Sequence, residues 1–457
     1  MFFPPLFVYL AASLQMVGVE VLMSVRLISA FSGALIIPLL YLIFVSCYNT
    51  KTSNLVALTG IPLFSLHSYS RLGQVDILML VFVVLTGFFL VRLMQYGKPA
   101  NALWAGLAIG IGTWTKETML GTFASSILFL LILPANRWRS IGLLLLGATG
   151  PLLLLAGLGA ETGQNLLYEV TASRGYDINM LKLPLISSLF ATGANLGINL
   201  YPRMFSKLEF MLFVALAPPT VILLMLLVFK GTIERRPFPL WVSSYLAIHL
   251  PFFTLFSRKF DYYLLPGAIL LLSAGACETF SCKNSARANQ QIHMLRISGK
   301  VIISAIILYN IIACRLLYSN PGTHGSFRAA IVDLEPGTRI ATSHPTLAQY
   351  ISDRASLGLR VTALFEHNSY RISWPTVTDT ATKAIVLKKY YYDKLRATNP
   401  RDWDSLTRFF PIMKEYIDST WSIWFFSKNT SQDIRWTSQR LNEFIKPIGV
   451  ITLLRSL

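Results

Sequence analysis

Long apolar runs, broken by short polar connections, fill the chain as far as Ser319, and beyond that point charged residues recur every few positions. A membrane-crossing helix needs roughly 20 mostly apolar residues, since a charge at its centre costs about 2.5–3.5 kcal/mol. Stretches near 26–46, 55–69, 76–94, 102–115, 118–134, 141–159, 209–229, 238–256, 262–280 and 300–318 meet or approach this, which predicts about ten transmembrane helices. The segment from Phe2 to Met23 carries a Pro-Pro pair and Glu20, so it is expected to lie along the membrane surface or dip partly in rather than cross. The fold class is therefore a polytopic α-helical membrane protein, with residues 1–318 forming the multi-span domain and 319–457 a soluble one.

The soluble part alternates short strand and helix patterns. RIAT, LRVTALF, KAIVL, TWSIWFF and GVITLL read as strands, and the stretches after Pro345 and from Gln432 to Ile445 as helices, which predicts a small α/β domain. No internal repeat, glycine-rich phosphate loop or HExxH pattern occurs.

Composition agrees with the hydropathy pattern: 54% of the 457 residues are hydrophobic and 14% charged, against about 25% charged in an ordinary soluble domain. The formal charge of +18 is not gathered into a basic stripe with interleaved aromatics, as nucleic-acid binding would require, but distributed over the short connections. Alternate connections differ in kind. One set, holding Lys51, Lys98, Arg137 with Arg139, Lys230 with Arg235 and Arg236, and Lys283 to Lys300, is short, basic and nearly free of acids. The other, RLGQVD, TKE, residues 160–208, SRKFD and the C-terminal domain, mixes acids and bases. The positive-inside rule puts the first set in the cytoplasm and the second, with the C-terminal domain, on the extracytoplasmic side of a plasma or inner membrane. All four cysteines lie in or beside apolar segments, with no disulfide framework or CxxC pair. MFFPPLFVYL has neither the basic n-region nor the small-residue cleavage site of a usual signal peptide.

Candidate chemistry sits on the outer side, where charges press against helix ends. Arg71 and Asp76 share one short connection. The arginine could clamp a phosphate and the carboxylate act as a general base, or the two could simply close a turn. Lys116 and Glu117 interrupt an almost continuous apolar tract: the lysine suits a phosphate, and a Lys–Glu turn with a snorkelling side chain is the bland alternative. Arg258, Lys259, Asp261, Tyr262 and Tyr263 cluster at another helix mouth, suited to a polar head group or a sugar, or equally to an interfacial anchor. His67 and His249 lack companions at metal-ligand spacing and read as packing or hydrogen-bonding residues, and the sequon at Asn429 is a weak signal. No metal site is assigned; a divalent ion is compatible with the chemistry, but no ligand cluster argues for it.

In order along the chain, PPLFVYLAA, RLISAFSGALIIPLLYL, YSRLGQVDILMLVFVV, GLAIGIGTWTKETML and FDYYLLPGAILLLSAGA resemble the membrane glycosyltransferases of the GT-C fold, of the dolichyl-phosphate-mannose protein mannosyltransferase and aminoarabinose transferase type. The resemblance spans roughly residues 4–276 and rests on order, spacing and polar punctuation together. It implies an enzyme that takes a sugar from a polyprenyl-phosphate donor held between helices and passes it, on the extracytoplasmic side and with inversion, to a protein, lipid or glycan acceptor. By position, Asp76 matches the acidic residue of the second outer loop, Lys116 the lysine after the GLxxGxxxxTK pattern, and Arg26 the arginine opening the RLxSA helix. Lys116, with Arg71 and Arg258, is thereby implied to hold the lipid phosphate. The family has a further helix and an acid-bearing outer loop before its PPL motif, and here PPL stands at Pro4 to Leu6. Three expectations follow: Met1 is an internal start in a truncated gene model, or the protein is an inactive relative that binds glycan or lipid, or another carboxylate such as Asp76 serves as the catalytic acid. A transporter is disfavoured, because its charges would lie near the midplane rather than at the rims.

Overall fold

The structure, a computed structural model, describes residues 5–71, 73–116, 118–133, 137–161, 192–193, 195–196, 207–254, 264–281, 290–319, 330–332, 334–343, 345–365, 372–379, 381–388, 395–397, 399–410, 412–417 and 422–427. The chain divides into two compact units, Met1–Leu317 and Tyr318–Leu457.

The described helices of the first unit are α1 (Pro5–Met16), α2 (Val21–Cys47), α3 (Thr50–Gly60), α4 (Phe64–Arg71), α5 (Val75–Tyr96), α6 (Ala100–Thr113), α7 (Met119–Ile132), α8 (Arg137–Glu161), α9 (Lys207–Ile233), α10 (Pro237–Thr254), α11 (Leu265–Phe280) and α12 (Gln290–Ser319). Among the described residues, five stretches are long and apolar enough to cross a membrane: Met23–Cys47, Val75–Tyr96, Arg137–Gly157, Leu216–Ile233 and Met294–Ile311. Pro5–Met16, Ala100–Thr113, Met119–Ile132 and Leu265–Phe280 are shorter apolar helices. The span expected near 55–69 is instead two short helices, α3 and α4, because Pro62 has no N–H to continue the ladder and disfavours helical geometry at Ile61. His67 Nε2 donates to the Ile61 carbonyl at 2.6 Å, satisfying a backbone acceptor that the break leaves open.

Without a hydrophobic drive between helices in lipid, close backbone approach at small residues does much of the packing. The α6 face carrying Gly106 and Gly110 meets the α8 face carrying Gly147 and Ala148. A Cβ on Gly106 would lie 2.1 Å from the Leu144 carbonyl oxygen, and one on Gly147 would lie 2.2 Å from that of Leu103. Helix α5 runs through the centre, with Ile77, Leu80, Val83, Val84, Leu90 and Val91 wholly buried, and Gly87 admits the Trp241 indole of α10.

The second unit holds β1 (Arg339–Thr342), α13 (Pro345–Arg354), β2 (Arg360–Ala363), α14 (Trp374–Thr378), β3 (Thr382–Lys388), α15 (Pro400–Phe409), β4 (Ile412–Ile417) and β5 (Ser422–Ser427). Its sheet has the order β2-β1-β3-β5-β4. Strands β2, β1 and β3 are parallel, while β5 and β4 join antiparallel. Alternation along the strands feeds two cores, one per face: Ile340, Ala384 and Val386 pack with Ala348 and Ile351 of α13, and Ala341, Ile385 and Leu387 with Val377 and Leu406. Four of the five expected strands are present, and GVITLL and the 432–445 helix lie outside the described residues. Strand β4, IMKEYI, and helices α14 and α15 are additions that strand and helix patterning did not single out.

Candidate functional site

The two ends of the helical unit are chemically distinct. At one end the C-terminal ends of α2, α5 and α11 and the α9–α10 turn come together. Gln95, near the end of α5, donates through Nε2 to the Cys47 sulfur at 3.4 Å, which ties α5 to the end of α2. Arg236, in the α9–α10 turn, pairs with Glu278 of α11 through Nη1, 3.1 Å from Oε1 and 3.0 Å from Oε2, and with Glu234 through Nη2 at 2.6 Å. Tyr48, just past α2, donates its hydroxyl to Glu278 Oε1 at 2.9 Å. Thr52 of α3 donates to the Phe280 carbonyl at 3.3 Å. Glu278 is fully buried, so its two partners offset a charge that would otherwise be strongly destabilising there. Burial works against the Arg236 charge, but the carboxylates of Glu278 and Glu234 more than compensate and raise its pKa. Burial, reinforced by Cys277 and Glu278, pushes the Tyr48 hydroxyl well above the ordinary tyrosine range, so it remains a donor.

The opposite end holds the candidate site. Helix α5 opens at Val75 with Asp76 in its first turn, where the helix dipole favours a carboxylate. The connection before it turns through Gly73 at φ +68°, a conformation natural to glycine; a Cβ there would also lie 2.6 Å from Val25 Cγ1 on α2. One turn along α2, Ser29 donates to the Gln74 carbonyl at 3.0 Å. These contacts fix the mouth of α5 against α2, so the position of Asp76 is set by backbone packing rather than by its own side chain.

Lys116 comes from the turn between α6 and α7. Its own N–H bonds the Gly112 carbonyl at 3.2 Å, and its carbonyl accepts from Met119 N–H at 3.1 Å, so the residue is fastened to both helices. The turn is braced from two further sides: Leu6 N–H of α1 donates to the Trp114 carbonyl at 3.0 Å, and the Trp114 indole donates to the Pro151 carbonyl of α8 at 2.8 Å. From it, Lys116 Nζ reaches Asp76 Oδ1 and forms an ion pair, with Lys116 only 7% and Asp76 only 4% exposed. One turn deeper, the Thr118 hydroxyl meets Met79 Sδ at 2.9 Å, joining the same two segments again. Among the described residues, then, Lys116 bridges to α5 and Asp76 pairs with this lysine, while Glu117, the other half of the Lys–Glu turn that the sequence allowed, lies outside the described residues.

Of the remaining sequence candidates, Arg26 sits exposed on α2, one residue past Val25, which packs on the Gly73 turn. Arg71 closes α4, five positions before Asp76 and at the same mouth. Arg258, Lys259, Tyr262 and Tyr263 lie outside the described residues, as do Glu117 and Asp261. Among the described residues, no three His, Cys, Asp or Glu side chains form a group that could hold a metal ion. The sequence reading missed the Glu278 network, although a lone carboxylate inside LPGAILLLSAGACETF could have signalled a partnered charge.

Residues 3–158 match the family model described as dolichyl-phosphate-mannose-protein mannosyltransferase, a stretch that contains both Asp76 and Lys116. The structure of ArnT from Cupriavidus metallidurans in the apo state is similar at 12% identity and a TM-score of 0.54, covering 92% of this chain and 87% of that one. The same protein bound to undecaprenyl phosphate is similar at 11% identity and a TM-score of 0.52, covering 94% and 88%. No curated protein matches the chain in sequence. By the fold of the whole chain and the family match of its N-terminal part, this polytopic membrane protein resembles the GT-C glycosyltransferases of the protein mannosyltransferase type.

Proposed function

We propose that this chain transfers a sugar from a polyprenyl-phosphate donor to a protein, lipid or glycan acceptor at the extracytoplasmic face, with inversion at the anomeric carbon. The observation that carries the reading is the buried Lys116–Asp76 pair, which lies at the end of the bundle opposite the Glu278 network. The ArnT structure with undecaprenyl phosphate supplies the donor class by analogy of fold.

In this reading Lys116 contacts the donor phosphate and stabilises the charge that grows on it as the glycosidic bond breaks. A cation in a dry rim does this far better than one in water. Asp76 has two roles open to it by geometry. With no donor bound it neutralises Lys116; with the phosphate in place it is released to accept the proton of the attacking hydroxyl or amine. Arg26 and Arg71, from the two elements flanking the α5 mouth, are proposed to add positive charge for the phosphate. Arg258, Lys259, Tyr262 and Tyr263 are proposed to face the head group from the connection after α10.

The test is to reconstitute the full chain in vesicles with a labelled polyprenyl-phosphate-linked sugar and follow the label into acceptors, for wild type, Asp76→Asn and Lys116→Ala. Full activity in both variants would sink the site assignment. A second reading, a noncatalytic lipid- or glycan-binding relative, is favoured by one observation: the Asp76 carboxylate is already engaged by Lys116. Saturable binding of the donor by the wild type without turnover would select it.

A further inference from the structure

Helix α10 presents three aromatic side chains at four-residue spacing, Trp241, Tyr245 and His249, all buried against the bundle. They form a continuous stack. The His249 ring lies over Tyr245 with centroids 3.9 Å apart and planes 17° apart, and Tyr245 meets Trp241 at 5.9 Å. Opposite them, α7 runs antiparallel: Phe129 meets the Trp241 ring edge-on at 6.2 Å, and Gly121 faces His249. The last contact is the tightest. A Cβ on Gly121 would lie 2.7 Å from His249 Cε1 and 3.0 Å from Nε2, so the imidazole occupies the volume a side chain would need.

Gly121 is the third residue of α7, and that first turn is continuous with the turn that carries Lys116. Met119 N–H bonds the Lys116 carbonyl at 3.1 Å, and Gly121 N–H bonds the Thr118 carbonyl at 3.0 Å. The distance at which α7 stands off α10 therefore sets where the Lys116 backbone lies, and so whether Nζ reaches Asp76 on α5. We propose that His249 is a positioning residue of the Lys116 site: its ring, seated on Gly121 and backed by Tyr245, fixes the first turn of α7 and with it the reach of Lys116. The effect on transfer rests on the function proposed above; the mechanical coupling from His249 to Lys116 does not.

The experiment uses the full chain in vesicles as wild type, Gly121→Ala, His249→Ala and the double variant, with two readouts. The first is the rate at which an amine-reactive ester labels Lys116, resolved by peptide mass spectrometry, which needs no donor. The second is kcat and KM for a polyprenyl-phosphate-linked sugar. In Gly121→Ala the added methyl displaces the turn. Lys116 labels faster, and kcat per folded molecule falls by up to about 10²-fold, the loss that a 1 Å misplacement can produce. His249→Ala removes the seat and also raises labelling. The double variant relieves the clash and restores both readouts to within about twofold, because the two residues are in contact and their effects are not additive. A role in stability alone would lower the folded yield and leave kcat per folded molecule unchanged, and that result overturns the proposal. Wild-type labelling in both single variants, or a double variant no better than Gly121→Ala, overturns it as well. If labelling is restored in the double variant but the wild type transfers no sugar, the coupling stands and the proposed function falls. If the wild type transfers sugar and Gly121→Ala matches it in both readouts, only the present inference falls.

Discussion

Lys116 Nζ donates to Asp76 Oδ1 across forty positions of sequence, linking the α6–α7 turn to the first turn of α5. Neither residue is more than a tenth exposed, so the pair is held in a low-dielectric setting where the Asp76 charge depends on Lys116.

That dependence predicts a strongly non-additive mutant cycle. Lys116→Met leaves a buried carboxylate alone and is expected to cost about 3–5 kcal/mol, with Asp76→Asn comparable in sign. The double variant removes both charges and is expected to recover most of the loss. Chemical or thermal unfolding of the four proteins in one detergent checks this, and simple additivity would show that the two charges act separately.

At the other end, Glu278→Gln should destabilise far more than Glu234→Gln. Glu278 is wholly buried between Arg236 and Tyr48, so breaking its pair costs about 3–5 kcal/mol, whereas the Glu234 side chain is 39% exposed and its pair contributes at most about 1 kcal/mol. Comparing the melting temperatures of the two variants against wild type decides the matter.

Tyr48 gives that network a signature at high pH. Its folded-state pKa is raised above the unfolded value near 10, so the protonated hydroxyl is retained in the fold while the unfolded chain ionises. The stability it contributes is complete below pH 10 and declines as pH rises further, by up to about 1.4 kcal/mol per unit. Melting curves between about pH 8.5 and 11 should fall less steeply for Tyr48→Phe than for wild type. Parallel curves for the two proteins would place Tyr48 outside the effect.

The α6–α8 seam separates glycines that are required from one that is not. A Cβ on Gly106 would strike the Leu144 backbone carbonyl, which cannot move as a side-chain end can, whereas one on Gly142 of the same seam's outer side meets nothing within 4 Å. Gly106→Ala is expected to cost about 1–3 kcal/mol. Gly142→Ala should lie within about 0.5 kcal/mol of wild type. Unfolding midpoints of the two alanine variants test the contrast.

The positions of the apolar helices, and the placing of Asp76 and Lys116 at their rims, could be read from sequence because hydropathy and charge are local properties. The pairing of the two could not. It depends on α5 and the α6–α7 turn meeting at one mouth, which glycines and backbone carbonyls such as Gly73 and Gln74 arrange without a recognisable motif. The single span expected at 55–69 failed on one residue, Pro62, whose effect on the ladder outweighs the apolar character around it. Strand β4 was missed because IMKEYI places Lys414 and Glu415 in mid-strand, and its identity comes from antiparallel pairing with β5. His249, which sequence reads as a packing residue, gains its interest only from the absent side chain at Gly121 on another helix.

The central claim, that Lys116 stabilises the departing phosphate of a lipid-linked sugar, is tested most directly by the initial rate of sugar release from a polyprenyl-phosphate donor in vesicles carrying wild type or Lys116→Ala. The account predicts measurable release by the wild type and a loss of about 10²–10³-fold in the variant, the usual consequence of removing one charge-stabilising group from a preorganised site. Equal rates in the two proteins would contradict it.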